Sequence, residues 1–343
     1  MNAFDGERQR PLRDARGRVA SNLRVSLTDR CNLRCTYCMP EEGLPWLPSE
    51  SVMTDDEVVR LVRLAVQRLG ISAVRFTGGE PLLRPGLEDI VADVAAARGP
   101  AGTPPLIALT TNGLGLTERA SDLAAAGLDR VNVSLDTLDP ARFAALTHRD
   151  RLPQVLAGLA AARAAGLRPV KLNAVLMRGV NDDEACDLLA FALEHRYFLR
   201  FIEQMPIGPR DAWDASGAVT AREILDLLGT RFALTPLDRG DRGSSPAQTW
   251  LVDGGPGAVG VIASVSLPFC DACDRVRLTA DGKLRTCLFG HEETDLLGLL
   301  RAGADDDDLA AAWAQAVVGK PAGHGIGGPD FVQPSRTMSR IGG

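Results

Sequence analysis

Apolar residues recur along the first two-thirds of the chain with two alternating periods. Short stretches repeat every second residue, and longer ones follow the three-to-four spacing of a helix. NLRVSLT (22–28) alternates and reads as a strand. Thr54 and Glu57 have the spacing of a capping box ahead of a helical run that stops at Gly70. ISAVRF (71–76) is the next strand, followed by TGGEP and a helix near 86–98. The breaker stretch GPAGTPP (99–105) precedes the strand LIALTTN (106–112). A helix near 117–126 ends at Gly127, and LDRVNVSLD (128–136) is again a strand. The helix 153–165 stops at Gly166, before the strand LRPVKLNAVLM (167–177). A helix near 182–195 leads to the strand YFLRFIE (197–203).

Six strands alternating with helices predict an α/β fold with a parallel sheet and right-handed crossovers. Six are fewer than the eight of a closed barrel, so periodicity leaves two choices, a partial barrel or a doubly wound sheet. After about residue 236 the alternation fades. RGDRGSSP reads as a loop, and DRVRLTADGKLRTCL as a hairpin turning at Asp281-Gly282, with two short helices and a Gly-rich end beyond it. The run Asp305–Asp308 suits a helix N-terminus, where carboxylates meet the positive end of the dipole.

Strands covered by helices on both faces should be apolar throughout. These keep one polar face. Arg24, Ser26 and Thr28 share it on the first strand, Arg75 and Thr77 on the second, Thr110 and Asn112 on the third. Asn132, Ser134 and Asp136 continue it, then Lys171 and Asn173, with Arg200 in the middle of the sixth strand. If the apolar faces meet helices, the polar faces converge on one cavity. A buried, unpaired cation costs on the order of several kcal/mol. Four of them on separate strands predict a polyanionic ligand or carboxylate partners, and a triphosphate would suit them.

Composition narrows the classes. The 343 residues are 45% hydrophobic and 24% charged, as in an ordinary folded domain. A net charge of −6 and a pI near 5.4 argue against nucleic acid or an anionic membrane as partner. No stretch of about 18 apolar residues occurs, and the N-terminus lacks the apolar core of a signal peptide. A cytoplasmic location is therefore expected, where thiols stay reduced. Seven cysteines in that setting point to metal or catalysis rather than disulfides. Cys186 falls in a helix beside Leu188 and Leu189 and reads as a packed thiol. The other six form two tight groups.

Cys31, Cys35 and Cys38 are spaced C-x3-C-x2-C in TDRCNLRCTYCMP, just past the first strand. Three thiolates can hold three irons of a [4Fe–4S] cube and leave the fourth open. A zinc ion would need a fourth ligand, and no His or further Cys lies nearby in sequence. The Gly-Gly pair of RFTGGEP (75–81) would let backbone approach a ligand closely. Cys270, Cys273 and Cys287 are spaced C-x2-C-x13-C, with His291 following at C-x3-H, a spacing that also suits a Cys3His zinc site. Arg275 and Arg277 alternate beside this triad, and a structural zinc knuckle has no need of them.

TDRCNLRCTYCMP resembles the signature of the radical S-adenosylmethionine superfamily, and RFTGGEP its GGE motif. The two triads, LRVSLTDRCN, TTNG, VNVSLDTLD and the terminal Ile-Gly-Gly together resemble the GTP 3′,8-cyclase family, from about Arg16 to Gly343. That resemblance implies a partial (β/α)6 TIM-like barrel over 1–235 and a C-terminal α+β domain over 236–343 carrying a second iron–sulfur cluster. It implies two [4Fe–4S] clusters, one held by Cys31, Cys35 and Cys38, the other by Cys270, Cys273 and Cys287. Tyr37, Gly79, Ser134 and Met205 would contact S-adenosylmethionine, as would Arg200. Arg24, Arg75, Thr110 and Lys171 would bind GTP, together with Arg275, Val276 and Arg277 through backbone and side chains. Gly342 and Gly343 would thread into the cavity as an activating tail. The implied reaction removes the ribose 3′ hydrogen, joins C3′ to C8 of guanine and reduces the product radical, the first step of molybdenum cofactor biosynthesis. Its implied partners are cyclic pyranopterin monophosphate synthase as the next enzyme, an electron donor the sequence does not name, and a second copy in a homodimer. The rival readings are a peptide-modifying enzyme of the same superfamily and a non-catalytic metal sensor. The first would want a peptide groove in place of inward cations, and the second leaves the strand motifs unexplained.

Overall fold

The computed structural model describes residues 11–209, 213, 215–238 and 243–342. The first ten residues, the RGDR of the RGDRGSSP loop and the terminal Gly343 lie outside the described residues. The alternating units follow in order as β1 (Asn22–Ser26), α1 (Asp55–Arg68), β2 (Ala73–Thr77), α2 (Leu87–Ala95), β3 (Leu106–Thr111) and α3 (Leu116–Ala125). Next come β4 (Arg130–Ser134), α4 (Pro140–Thr147), α5 (Leu152–Ala164), β5 (Val170–Leu176), α6 (Ala185–Glu194) and β6 (Phe198–Glu203). The later part adds α7 (Ala221–Gly229), β7 (Leu234–Pro236), β8 (Gln248–Val252), β9 (Ala258–Ile262) and β10 (Arg275–Leu278). It ends with β11 (Lys283–Arg285), β12 (Thr294–Asp295), α8 (Leu296–Arg301), α9 (Asp306–Val318) and α10 (Met338–Ile341).

β1 to β6 pair in sequence order, all parallel, as the alternation requires. Their apolar positions, among them Val25, Phe76, Leu109, Val133, Leu172 and Phe201, are sealed under the helices in one continuous core. Burying each such side chain contributes about 1.5–3 kcal/mol. The capping box of α1 forms as expected. Glu57 N donates to Thr54 Oγ1 at 3.2 Å, and Thr54 N donates back to Glu57 Oε2 at 2.8 Å. Asp305 caps α9, accepting from the backbone N–H groups of Asp307 and Asp308 at 2.9 Å each. Among the described residues three helices escaped the sequence reading, α4, α7 and α10; α4 is short and capped by Asp139, which accepts from Arg142 N at 2.7 Å.

The sheet does not stop at six strands. Its order is β12-β11-β10-β1-β2-β3-β4-β5-β6-β9-β8-β7, so the C-terminal part supplies strands to both outer edges. β10 lies parallel to β1 with Asn22 opposite Arg275 and Arg24 opposite Arg277. β9 lies parallel to β6. The hairpin at Asp281-Gly282 is present, with β10 antiparallel to β11 and Gly282 at φ +66°. β8 and β9 form a second antiparallel pair that the fading alternation concealed.

Candidate active site

The two cysteine groups sit at opposite ends of one strand pair. Cys31, Cys35 and Cys38 follow the C-terminal end of β1. Cys270 and Cys273 precede the N-terminal end of β10, which runs parallel to β1, and Cys287 follows β11, which returns antiparallel. The five residues of β1 span about 16 Å between those ends. A cavity of about 660 Å³ fills the space, lined by Cys270, Cys273 and Cys287 and by the polar faces of the strands. That volume lies within the range of small-molecule sites.

Cations dominate its wall. Arg24, Arg75, Lys171, Arg200, Arg275 and Arg277 all line it, as alternation on their strands dictates. Cross-strand register sets Arg277, Arg24 and Arg75 side by side, an arrangement of like charges that disfavours the empty fold. Among the described residues none of these six forms an ion pair with a carboxylate, so the paired-cation alternative is not what the fold contains. Arg24 Nε, Arg75 Nε and Arg275 Nη2 are buried without a hydrogen-bond partner. Arg75 Nη1 reaches Thr110 Oγ1 at 3.4 Å, and Arg200 donates to Asn173 Oδ1 at 2.6 and 3.0 Å. Burial, followed by the neighbouring Arg275, brings the Arg24 guanidinium down to about 10. Burial and the charges of Arg24 and Arg130 bring Arg200 down to about 9. Burial and the charges of Arg200, Arg130 and Arg75 bring Lys171 to about 7. A polyanion would relieve all of these, each charge-assisted contact contributing about 1.5–3 kcal/mol.

A smaller cavity of about 140 Å³ adjoins the first triad, lined by Cys31, Cys35, Cys38, Gly78 and Gly79 together with Tyr37, Thr110 and Ser134. Tyr37, Thr110, Ser134, Asp136 and Met338 line both cavities and so connect them. The glycine pair is required by close approach. A Cβ on Gly78 would lie 2.3 Å from Thr28 O, and one on Gly79 would lie 2.2 Å from Arg30 O. Glu80, next in the motif, is fully buried. It accepts from Leu82 N at 2.9 Å and from Asn112 N and Thr111 Oγ1 at 2.7 Å each, and burial lifts it to about 7. It therefore braces the loop rather than facing a ligand. Tyr37 donates its hydroxyl to Asp136 Oδ2 at 2.8 Å.

The donor set of each triad fits a cluster with one open vertex. Burial and mutual repulsion push the Cys38 thiol up to about 12, the state that metal coordination would replace with thiolate. No His or fourth Cys lines that cavity. In the second triad, burial opposes but the charges of Arg275 and Lys320 prevail and draw Cys273 down to about 7. His291 does not line the cavity, and its Nε2 lies 3.2 Å from Val332 O. His324 does line it, but its Nδ1 accepts from Ile326 N at 3.1 Å and a backbone bond to Ser264 engages the ring as well. The geometry thus offers no imidazole to complete a Cys3His zinc site.

The C-terminus closes the first end. Gly342 sits buried against β1 and β2 at φ +91°, where a Cβ would lie 2.1 Å from Ser26 Oγ. Its carbonyl accepts from Arg277 Nη1, and Ser26 Oγ donates to Ile341 O at 3.2 Å. The Ser339 backbone bonds to the Cys38 sulfur.

Met205 and Ser134 both line the larger cavity. Val276 requires correction. Its side chain is fully buried in the core, on the face opposite Arg275 and Arg277, so only its backbone faces their side of the strand. Several cavity residues went unread, the cations Arg18, Arg130 and Lys320 among them. Arg130 shares its parity with Asn132 and Ser134, a signal that was present at the strand's first residue. Lys320 follows α9, and its Nζ donates to Arg275 O, to Thr286 O at 2.9 Å and to the Cys273 sulfur. No local pattern announces it.

Comparison with known proteins agrees with this geometry. Residues 25–192 match the Radical SAM superfamily model and residues 197–326 the Molybdenum Cofactor Synthesis C model. The GTP 3′,8-cyclase of Streptomyces coelicolor is 63% identical over 97% of this chain and 96% of its own. GTP 3′,8-cyclase 2 of Mycobacterium bovis is 59% identical over 97% and 92%. Among solved structures, Streptococcus suis SuiB bound to S-adenosylmethionine superposes with a TM-score of 0.58 at 14% identity, over 92% of this chain and 76% of that one. At that identity the likeness speaks for the fold alone.

Proposed function

Because the chain belongs to the GTP 3′,8-cyclase family of radical S-adenosylmethionine proteins, we propose that the cation-walled cavity is where GTP is cyclised. The protein is a radical S-adenosylmethionine enzyme. It converts GTP to (8S)-3′,8-cyclo-7,8-dihydroguanosine 5′-triphosphate, removing the 3′ hydrogen and forming the C3′–C8 bond in the first step of molybdenum cofactor biosynthesis. The observation that carries this reading is the row of unpaired cations running between two cysteine triads.

When bound, S-adenosylmethionine and the two [4Fe–4S] clusters supply the one-electron chemistry and an open iron for the purine. The chain's own residues bind, orient and exclude. Cys31, Cys35 and Cys38 would hold the first cluster and Cys270, Cys273 and Cys287 the second. Tyr37, Gly79, Ser134, Met205 and Arg200 would border S-adenosylmethionine. Arg24, Arg75, Thr110, Lys171, Arg275 and Arg277, with the backbone of Val276, would hold GTP chiefly by its phosphates. Gly342 and Gly343 would cap the cavity and shield it from quenchers. Residues 1–235 would then form the radical-generating unit and 236–343 the unit that carries the second cluster. The product would pass to cyclic pyranopterin monophosphate synthase in the cytoplasm, from a protein working as a homodimer. Among the described residues no helix is long and apolar enough to cross a membrane.

The test is anaerobic incubation of the reconstituted, reduced protein with S-adenosylmethionine and GTP. Formation of 5′-deoxyadenosine together with the cyclised nucleotide is expected. Absence of 5′-deoxyadenosine from cluster-replete protein would overturn the reading.

A further inference from the structure

Arg130 opens β4 and sits opposite Ala108 in the register, in line with Arg277, Arg24 and Arg75 across the neighbouring strands. It lines the large cavity. Its Nε is buried without a hydrogen-bond partner, and among the described residues it makes no ion pair. The adjacent carboxylate does not serve it directly, because Asp129 Oδ2 accepts from Ile107 N at 2.7 Å. Its charge is felt by Arg75, Lys171 and Arg200, so it belongs to the cation group, with Asp129 the charge that favours its own guanidinium. A guanidinium kept half-buried among like charges, with a donor left vacant, serves no structural end that the fold displays. Its fork suits the bidentate capture of a phosphate.

We propose that Arg130 is a substrate-binding residue that holds the polyphosphate of the nucleotide, completing a four-arginine row with Arg277, Arg24 and Arg75. This rests on the reading of the cavity as the GTP site. That row crosses the strands between the two triads and would anchor the charged end of the nucleotide there, so Arg130 acts on affinity and placement and not on the chemical step.

The experiment is equilibrium binding of GTP and of guanosine to the anaerobically reconstituted holoenzyme, for wild type, Arg130→Ala and Arg130→Lys. Arg130→Ala should weaken GTP binding about 10- to 150-fold while leaving guanosine affinity, S-adenosylmethionine affinity and iron content unchanged. Arg130→Lys, which keeps the charge and guards against a folding artefact, should recover part of the loss. In turnover, Arg130→Ala should raise KM with kcat little altered. GTP affinity within threefold of wild type overturns the proposal, and so does an equal loss for GTP and guanosine, which would mark a merely structural role. Wild-type holoenzyme that fails to bind GTP removes the underlying reading of the cavity, an outcome distinct from failure of the Arg130 assignment alone.

Discussion

Replacing Lys171 by methionine should stabilise the ligand-free protein while destroying its affinity for GTP. The Lys171 ammonium lies 5.1 Å over the Phe198 ring, with no carboxylate partner among the described residues. Burial and three arginines move its pKa from 10.5 to about 7. At about 1.4 kcal/mol per unit, that span is an upper bound of about 5 kcal/mol. Solvent screening at its exposed part lowers the expected figure to roughly 2–3 kcal/mol. The sign follows from proton linkage. The unfolded chain binds the proton that the folded chain has lost between about pH 7 and 10.5, so wild-type stability rises with pH across that window. Below about pH 7 the penalty is present in full. Anaerobic thermal melts at about pH 6 should show Lys171→Met more stable than wild type by roughly 2–3 kcal/mol, the difference shrinking by about pH 9. GTP would restore the ammonium, so calorimetry near pH 8 in two buffers of different ionisation enthalpy should detect proton uptake on binding. A less stable Lys171→Met protein at about pH 6, or binding with no proton uptake, would refute the argument.

Other outcomes follow from single contacts. Gly79→Ala places a Cβ 2.2 Å from Arg30 O and should displace the loop entering Cys31. S-adenosylmethionine cleavage should fall about 10- to 100-fold while the paramagnetic signal of the second cluster persists. Gly342→Ala adds about 1–2 kcal/mol of backbone strain to its clash with Ser26, and a chain end can escape both by leaving its groove. Melting temperature should hold while tryptic cleavage after Arg340 accelerates; unchanged cleavage would count against an inserted tail. Lys320→Met removes a positive donor from the Cys273 sulfur and should lower the reduction potential of the second cluster, read by a titration monitored by electron paramagnetic resonance. An unshifted potential would show that Lys320 only packs.

The sequence announced features whose cause is local. Alternation on β1 to β5 placed Arg24, Arg75 and Lys171 on one face before any cavity was visible, and Thr54 with Glu57 marked the start of α1. The cysteine spacings marked both ends of the site. What escaped depends on distant pairing. β9 reads AVGVI beside the turn-rich DGGPG and becomes legible as a parallel strand only against β6. Lys320 is buried because α9 delivers it to the second triad, and nothing in KPAG encodes that. Val276 sits between two cavity arginines in sequence, but strand parity turns its side chain away from theirs.

The edge pairing of β1 has a bearing on biogenesis. Its outer neighbour lies some 250 positions downstream, with Asn22 meeting Arg275, so ribosomal synthesis is nearly finished before the first strand finds that mate. Until then the nascent half-barrel exposes two raw borders capable of adding strands from other chains. Maturation is therefore obliged to run late. A truncated product ending before β8 would carry the first cysteine motif on a scaffold whose flanks nothing seals.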